Sequence, residues 1–416
     1  MTAAAVVHPI ERAWITTGGT GAQNYDEFAD ETEITRIIAA NPRSALAVEM
    51  PHRAPGHGLH GLHGLHGTSF ADALPAAVER LATAEQDGAY LPAHRVVVLY
   101  RISGPVVTHG LFGMVDTDQI STSADQPGLV IRNEDVFEEK VRERVALARA
   151  TGHLLSPVLL LQSSGGAGAA PSSSGRLSEE LARACRAAGP PAATDVDQAG
   201  RVHEIWPVPP GPLADRLCAL AGDGELVVAD GNHRTLAAQT GGLTRFLAVV
   251  TTPDAVTIAP YHRLITESPY PAGQLPERIA AAGARADRVP DLPDSPPPRG
   301  VAYLYTAGGC HAVSLPADPA APAVDNLDHA VVERLLLRDV LGLDPGDKRV
   351  GYVGGDYPVS WLRSEVDAGR ADAAIVIAPV SVSDFVAVNL ARQKLPRKST
   401  WFTPKARAGL VLAELD

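Results

Sequence analysis

The chain has 416 residues and a formal net charge of −12, and 45% of its residues are hydrophobic. The length predicts more than one packed region, and the composition is that of a globular protein. The negative charge disfavours nucleic-acid binding, which depends on lysine and arginine neutralising phosphates. The cysteines Cys185, Cys218 and Cys310 lie far apart, which excludes a disulfide framework and a zinc knuckle.

The sequence contains no stretch typical of export or membrane insertion. Residues 1–10 have no basic region followed by an apolar run, and no later stretch has about 18 uncharged apolar residues. The scattered cysteines fit a reducing compartment. We therefore expect a cytoplasmic protein that does not span a membrane.

The N-terminal part predicts a short helix over residues 30–39 and a strand over residues 44–48. Residues 58–67 then repeat Gly-Leu-His three times, which places His60, His63 and His66 three residues apart. Such a run could bind a divalent metal, but a glycine at every third position disfavours a helix that would hold the ligands in place. We interpret it as a mobile surface loop.

The middle of the chain predicts a hairpin of strands 95–102 and 109–116, a helix over 134–151, a strand over 157–161 and a flexible segment over 163–175. A strand over 225–229, a polar loop, a helix over 235–239 and a strand over 246–251 follow. The C-terminal part predicts strands over 301–306, 349–353 and 374–377, helices over 327–341 and 361–368, and a basic loop over 395–410.

The polar loop Asp230-Gly231-Asn232-His233-Arg234 is the first candidate for chemistry, because the common phosphate-binding and kinase motifs are absent. Gly231 allows backbone amides to approach a ligand, and the following helix begins with unpaired N–H groups. His233 and Arg234 add donors, so the loop suits a polyphosphate. Asp230 at the strand end could bind Mg²⁺. A polar turn with a structural Asp–Arg pair is the alternative.

Residues 227–238 resemble the D-G-H-H-R-x-x-A signature of the bacterial family called domain of unknown function 1015. That signature resembles loops of the ParB/sulfiredoxin superfamily and of free L-serine kinases. Residues 131–134, 260–264 and 395–405 match the same family in the same order, and the last stretch carries a specific Lys-Ser-Thr-Trp-Phe-x-Pro-Lys block. The resemblance extends from about residue 25 to residue 412.

The resemblance implies an α/β (α+β) fold with a ParB/sulfiredoxin-like core and additional N-terminal and C-terminal α/β subregions. It divides the chain into three regions. Residues 1–90 form an N-terminal α/β segment with the His/Gly loop, and residues 91–270 form the nucleotide-binding core. Residues 300–416 form a C-terminal α/β subdomain that contributes the Lys-Ser-Thr loop.

The resemblance also implies a kinase that transfers phosphate from ATP or ADP, with Mg²⁺, to the hydroxyl of a free amino acid. L-Serine, converted to O-phospho-L-serine, is the expected acceptor. The implied catalytic residues are Glu134 and Asp230, of which Asp230 also binds the metal. The implied nucleotide contacts are Gly231, Asn232, His233, Arg234 and Thr235, and the implied substrate contacts are Lys398, Ser399, Thr400 and Arg263.

The catalytic assignment has a chemical reason and an alternative. Serine is a poor nucleophile at neutral pH, so a carboxylate such as that of Glu134 would have to accept its proton. Glu134 could instead be an acid that complements the dipole at a helix N-terminus.

Two positions depart from the family pattern. Asn232 stands in place of the first His of H-H-R, and Asn133 stands in place of a His before the catalytic glutamate. Asparagine keeps hydrogen bonding but carries no proton or positive charge near neutral pH. A non-catalytic nucleotide or amino-acid sensor is therefore the second functional hypothesis.

Two related activities do not fit the sequence. A sulfiredoxin-type reductase is excluded because it needs a cysteine where Asn232 stands. A ParB-like DNA-binding role is disfavoured because residues 240–298 are rich in proline and weakly charged, where a basic helix-turn-helix would be needed.

Overall fold

The computed structural model describes residues 5–28, 31–55, 69–121, 128–163 and 172–415. The His-containing loop 58–67 and most of the segment 163–175 lie outside the described residues. The chain divides into two compact units, one of Met1–Val256 with Pro404–Asp416 and one of Thr257–Thr403. The three sequence regions follow different boundaries and stay a prediction.

Strands are distributed along the whole chain. In chain order they are β1 (Val7–His8), β2 (Ile10–Thr16), β3 (Tyr90–Ser103), β4 (Thr108–Asp116), β5 (Val130–Ile131), β6 (His153–Leu154), β7 (Val158–Ser163), β8 (Ala193–Val196), β9 (Val202–Val208), β10 (Glu225–Asp230), β11 (Arg245–Thr251), β12 (Thr257–Ala259), β13 (Tyr261–Ile265), β14 (Ala286–Val289), β15 (Val301–Thr306), β16 (Gly309–Ser314), β17 (Val350–Gly354), β18 (Ala373–Ile377), β19 (Trp401–Thr403) and β20 (Val411–Glu414).

Helices alternate with these strands, and together they confirm the predicted α/β class. The helices are α1 (Glu31–Ala40), α2 (Leu46–Glu49), α3 (Phe70–Gln86), α4 (Glu138–Thr151), α5 (Ser172–Ala187), α6 (Pro212–Ala221), α7 (Asn232–Thr240), α8 (Leu275–Ala281), α9 (Asp328–Val332, continued by a π-helix over Glu333–Leu341), α10 (Val359–Asp367) and α11 (Val382–Leu390). Among the described residues, no helix is both long and apolar enough to cross a membrane.

The first unit is built on a mixed sheet in which most neighbouring strands are antiparallel. Its main strand order is β5-β10-β7-β11-β4-β3-β2-β20-β6, with β1 beside β4 and β9 between β3 and β8. The predicted hairpin is confirmed, since Val98 of β3 lies opposite Phe112 of β4. Apolar side chains from this sheet form a buried core with residues of α5 and α6 such as Leu181 and Leu217.

Two predicted elements of the first unit are wrong. Residues 44–48 do not form a strand, because Ser44 lies in a bend, Ala45 lies in a turn and Leu46–Glu49 form α2. Every residue of this apolar run is buried, and such a run has no periodicity that separates strand from helix. The helix predicted over 134–151 begins at Glu138 instead, after an extended Phe137.

The second unit has its own sheet and core. A six-stranded sheet has the order β14-β16-β15-β18-β13-β17, and β12 pairs with β19. The predicted strand 301–306 is confirmed as β15, and the helix predicted over 327–341 is confirmed as α9 with its π-helical continuation. The tail predicted as a basic loop contains β19, which Phe402 anchors with a fully buried ring.

Candidate functional site

The candidate site forms where two parallel strands end at the same edge of the first sheet. Strands β5 and β10 are parallel, with Ile131 opposite Val227. Glu134 and Asp230 each lie three residues beyond that pair, so both leave the sheet at the same edge. The structure therefore brings together two stretches that are about a hundred residues apart in the sequence, and both side chains are half-buried.

Gly231 makes the sharp connection between β10 and α7. Its φ of +100° lies in the left-handed region, which glycine adopts without steric cost. The predicted start of the helix at Thr235 is wrong, because α7 begins at Asn232 and the motif residues form its first turn. Thr235 is buried, and its hydroxyl donates a 2.9 Å hydrogen bond to the carbonyl of Gly231. Thr235 thereby fixes the turn from inside.

The two asparagines that depart from the family pattern are hydrogen-bonded to each other. The Asn133 amide N–H donates to Asn232 Oδ1 at 3.3 Å, and Asn232 Nδ2 donates to Asn133 Oδ1. Both side chains are buried. This paired contact joins the stretch before α4 directly to the first turn of α7.

His233 forms a second link between the same two segments. Its Nε2 accepts a 3.1 Å hydrogen bond from the Phe137 amide, and its ring stacks on that of Phe137 with an interplanar angle of 8°. This amide and that of Asn133 donate to motif side chains, and these two hydrogen bonds hold the stretch between them outside the helix. This is the physical reason why α4 begins only at Glu138.

Glu134 consequently lies in a bend rather than in a helix. The acids in the first turn of α4 are Glu138 and Glu139. The alternative that Glu134 complements a helix dipole therefore does not match the structure, since that effect acts within the first turn.

Arg234 is half-buried and points back toward the end of β10. Its Nη2 lies 2.5 Å from Asp230 Oδ2, and its Nη1 donates to Asn24 Oδ1 at 3.1 Å and to the carbonyl of Pro157. Burial by itself lowers the pKa of Arg234, but the carboxylates of Asp230 and Asp26 outweigh this and raise it. The guanidinium therefore holds the loop in place as a permanent cation.

Three residues that the sequence did not assign to the site lie close to Asp230 and Arg234. Lys405 Nζ lies 3.3 Å from Asp230 Oδ1 and 3.6 Å from Glu27 Oε1. Asn24 Nδ2 donates to Glu27 Oε1 at 2.8 Å. Burial raises the pKa of Glu27, and the ammonium of Lys405 opposes that rise. Lys405 is the last residue of the Lys-Ser-Thr block, which was the available signal for it.

The described residues do not by themselves form a magnesium site. Asp230 has one carboxylate oxygen on Arg234 and the other near Lys405, so two cations already neutralise it. Nowhere in the described ranges do three or more His, Cys, Asp or Glu side chains group as metal ligands. Mg²⁺ usually needs one or two carboxylates in addition to phosphate oxygens. The predicted role of Asp230 as a metal ligand stays a prediction.

The predicted substrate contacts belong to the second unit, where a buried arginine organises them. Arg263 is fully buried, and its Nη1 donates to the carbonyl of Lys398 at 3.0 Å. Its guanidinium carbon lies 4.5 Å from the centre of the Tyr352 ring. Ser399 is buried, and its hydroxyl donates to the carbonyl of Pro396. Lys398 and Thr400 are half-buried. Arg263 and Ser399 thus shape the loop that presents Lys398 and Thr400.

The fold is that of a mixed α/β protein. At the edge of its first sheet, Gly231 makes a sharp turn from a strand into a helix whose first residues are polar and charged. The chain belongs to the family described as Protein of unknown function (DUF1015), which matches residues 20–330. No curated protein sequence matches the chain.

Several solved structures are similar at a low level. A free serine kinase in complex with AMP has a TM-score of 0.40 and 11% identity, covering 70% of this chain and 87% of the other. A conserved hypothetical protein from Pyrococcus furiosus has a TM-score of 0.40 and 12% identity, covering 72% and 95%. SbnI with a C-terminal truncation, from Staphylococcus aureus, has a TM-score of 0.38 and 13% identity, covering 72% and 87%.

Proposed function

We propose that the chain is a nucleotide-dependent phosphotransferase that phosphorylates the hydroxyl of a small molecule. The observation that carries the proposal is the shared edge of β5 and β10. There Asp230 precedes the first turn of α7, and Asn133, the neighbour of Glu134, is hydrogen-bonded to Asn232 in that turn. The motif resemblance supplies the expected chemistry, with ATP or ADP as donor and free L-serine as acceptor.

The proposed mechanism gives each group at this edge a distinct role. Glu134 accepts the proton of the acceptor hydroxyl as that oxygen attacks the transferred phosphorus. The N–H groups of the first turn of α7 attract the polyphosphate, because the start of a helix carries a partial positive charge. Lys405 adds a cation beside Asp230. Attack breaks the bond between the transferred phosphorus and the bridging oxygen, and the shortened nucleotide leaves with that oxygen.

Other predicted contacts act by positioning. Arg234 is committed to Asp230, Asn24 and Pro157, so in the proposal it holds the loop and does not reach the nucleotide. In the second unit, the proposal keeps Lys398 and Thr400 as substrate contacts, with Arg263 and Ser399 holding their loop. The family pattern predicts all five residues as ligand contacts. The proposal keeps that role for Lys398 and Thr400 and gives the other three a positioning role because of their hydrogen bonds.

A nucleotide or amino-acid sensor is the second candidate, and the asparagine pair favours it. Asn133 and Asn232 occupy positions where the family pattern has two histidines, and they use their polar groups on each other. Two neutral side chains cannot shuttle a proton. A chain with this pair could bind a ligand without turning it over.

Phosphorus NMR of the purified protein with Mg²⁺, ATP or ADP and a panel of hydroxy amino acids separates the two candidates. A phosphorylated amino acid that forms only with active protein supports the phosphotransferase. Binding of a nucleotide or of an amino acid by calorimetry without any product supports the sensor, and absence of product and of binding to either kind of ligand rejects both. Removing Mg²⁺ with a chelator tests the metal separately, since a transfer that persists contradicts the predicted cofactor.

A further inference from the structure

A small cavity in the first unit lies between α4, α7 and the central strands, and its volume is about 60 Å³. Most of its wall is apolar, and one end is charged. The apolar side chains include Val145, Leu147, Ala148, Ala237, Leu243 and Phe246. Glu49 and Arg144 contact each other at what we call the charged end. The other ionisable lining residues are His153, Arg234 and the exposed Arg149, which places part of the cavity at the surface. Neither Glu134 nor Asp230 is among its described lining residues.

Glu49 provides an acceptor at the charged end that no described group uses. Its side chain is 2% exposed. Oε1 accepts a hydrogen bond from the Ser156 hydroxyl, whereas Oε2 has no hydrogen-bond partner among the described residues. A buried carboxylate oxygen without a partner is costly unless a ligand or water satisfies it.

Arg144 provides unused donors beside it. The side chain is 6% exposed, and its guanidinium lies 4.0 Å from the centre of the Tyr25 ring and 5.0 Å from that of Phe70. Nη2 donates to the backbone carbonyl of Glu49 at 3.2 Å and lies 3.9 Å from a carboxylate oxygen of Glu143. Nε and Nη1 have no hydrogen-bond partner in the part of the chain that the structure describes. The two rings hold the guanidinium in place but do not provide hydrogen-bond acceptors for its Nε and Nη1.

We propose that this cavity binds a small α-amino acid with an apolar side chain. The ligand carboxylate pairs with Arg144, its ammonium group pairs with Glu49, and its side chain packs against the apolar wall. A zwitterion can satisfy both the unused acceptor of Glu49 and the unused donors of Arg144, whereas a simple anion or cation satisfies only one of the two.

The proposal is independent of phosphotransfer. The cavity shares only Arg234 with the motif loop, and Arg234 is already bonded to Asp230, Asn24 and Pro157. A ligand in the cavity would therefore contact the motif loop only through Arg234, whose position is fixed by these bonds. Glu134→Gln should leave binding in the cavity unchanged, so failure of the phosphotransferase proposal and failure of this one give different results.

Titration calorimetry of the full chain with L-valine and L-leucine tests the site, with isovalerate and isobutylamine as probes that lack one charged group. We expect one amino acid bound per chain, and each single-charge probe at least about tenfold weaker. No binding of either amino acid up to about 10 mM overturns the proposal, as does equal affinity for the single-charge probes.

Two variants locate the binding, and one serves as a control. Glu49→Gln keeps the size and the Ser156 hydrogen bond but removes the charge, and Ala148→Leu fills the cavity without touching the charged end. Each should weaken L-valine binding at least about tenfold, whereas Arg183→Gln, at an exposed ion pair with Glu180, should not change it. Wild-type affinity in Ala148→Leu that is folded by circular dichroism places the ligand elsewhere and overturns the assignment.

Discussion

At the scale of single residues, the most informative contact is the one between Asn133 and Asn232. The sequence shows that both positions depart from the family pattern, but it does not show that they touch. The structure makes them one hydrogen-bonded pair, so the two departures are physically coupled. Similarly, Lys405 could be recognised only as part of the Lys-Ser-Thr block, because its partners Asp230 and Glu27 lie far away in the sequence.

The asparagine pair predicts non-additive stability changes. Asn133→Ala and Asn232→Ala each leave a buried polar partner unsatisfied, so each should lower the free energy of unfolding by about 1–3 kcal/mol. The double variant removes both partners and should lose less than the sum of the two. Urea unfolding of the four proteins measures this, and strictly additive losses would show that the contact does not form.

Glu49 predicts a pH dependence of stability. Burial raises its pKa above the ordinary 4.5, although Arg144 and Ser156 oppose the rise. The folded state therefore keeps its proton to a higher pH than the unfolded state. The resulting stability is complete below pH 4.5 and is lost as pH rises through the folded pKa. Glu49→Gln has no such proton and serves as the comparison.

The measurement is urea unfolding of wild type and Glu49→Gln over a pH series. The free energy of unfolding of the wild type minus that of the variant should fall by roughly 1.4 kcal/mol per pH unit between the two pKa values. A difference that stays constant with pH would mean that the pKa of Glu49 is the same in both states.

At the scale of elements, the sequence predicted strongly patterned segments well and uniform ones poorly. The β3–β4 hairpin has alternating patterns and a turn signal, and it was predicted correctly. Residues 45–48 are all apolar, so the pattern could not separate a strand from α2. The start of α4 was missed because the amides before it donate to Asn232 and His233, which are distant in the sequence.

The first turn of α7 predicts a particular sensitivity at Gly231. The φ of Gly231 is left-handed, and the Cβ added in Gly231→Ala would lie 3.0 Å from Arg234 Nε. Gly152→Ala also has a left-handed φ, but nothing lies within 4 Å of its Cβ. Both should lose about 1 kcal/mol from the backbone conformation, and Gly231→Ala should lose more because it displaces Arg234. Thermal unfolding compares them, and equal losses would contradict the contact.

At the scale of the whole molecule, the sequence indicated the α/β class but not how distant segments join. The last strand, β20, lies between β2 and β6, so the C-terminal segment completes a sheet that the N-terminus begins. Strand β5 has only two residues and no pattern of its own, yet its parallel pairing with β10 brings the stretch that contains Glu134 to the sheet edge where β10 ends. Such pairings depend on non-local contacts that local patterns do not contain.

The turnover of Glu134→Gln, compared with wild type by phosphorus NMR, tests the central claim most directly. Glutamine keeps the size and hydrogen bonding of glutamate but cannot accept the proton of the attacking hydroxyl. The account predicts that formation of the phosphorylated amino acid falls by roughly 100-fold or more, while nucleotide affinity measured by calorimetry barely changes. Turnover equal to that of the wild type would contradict it and remove Glu134 from the reaction.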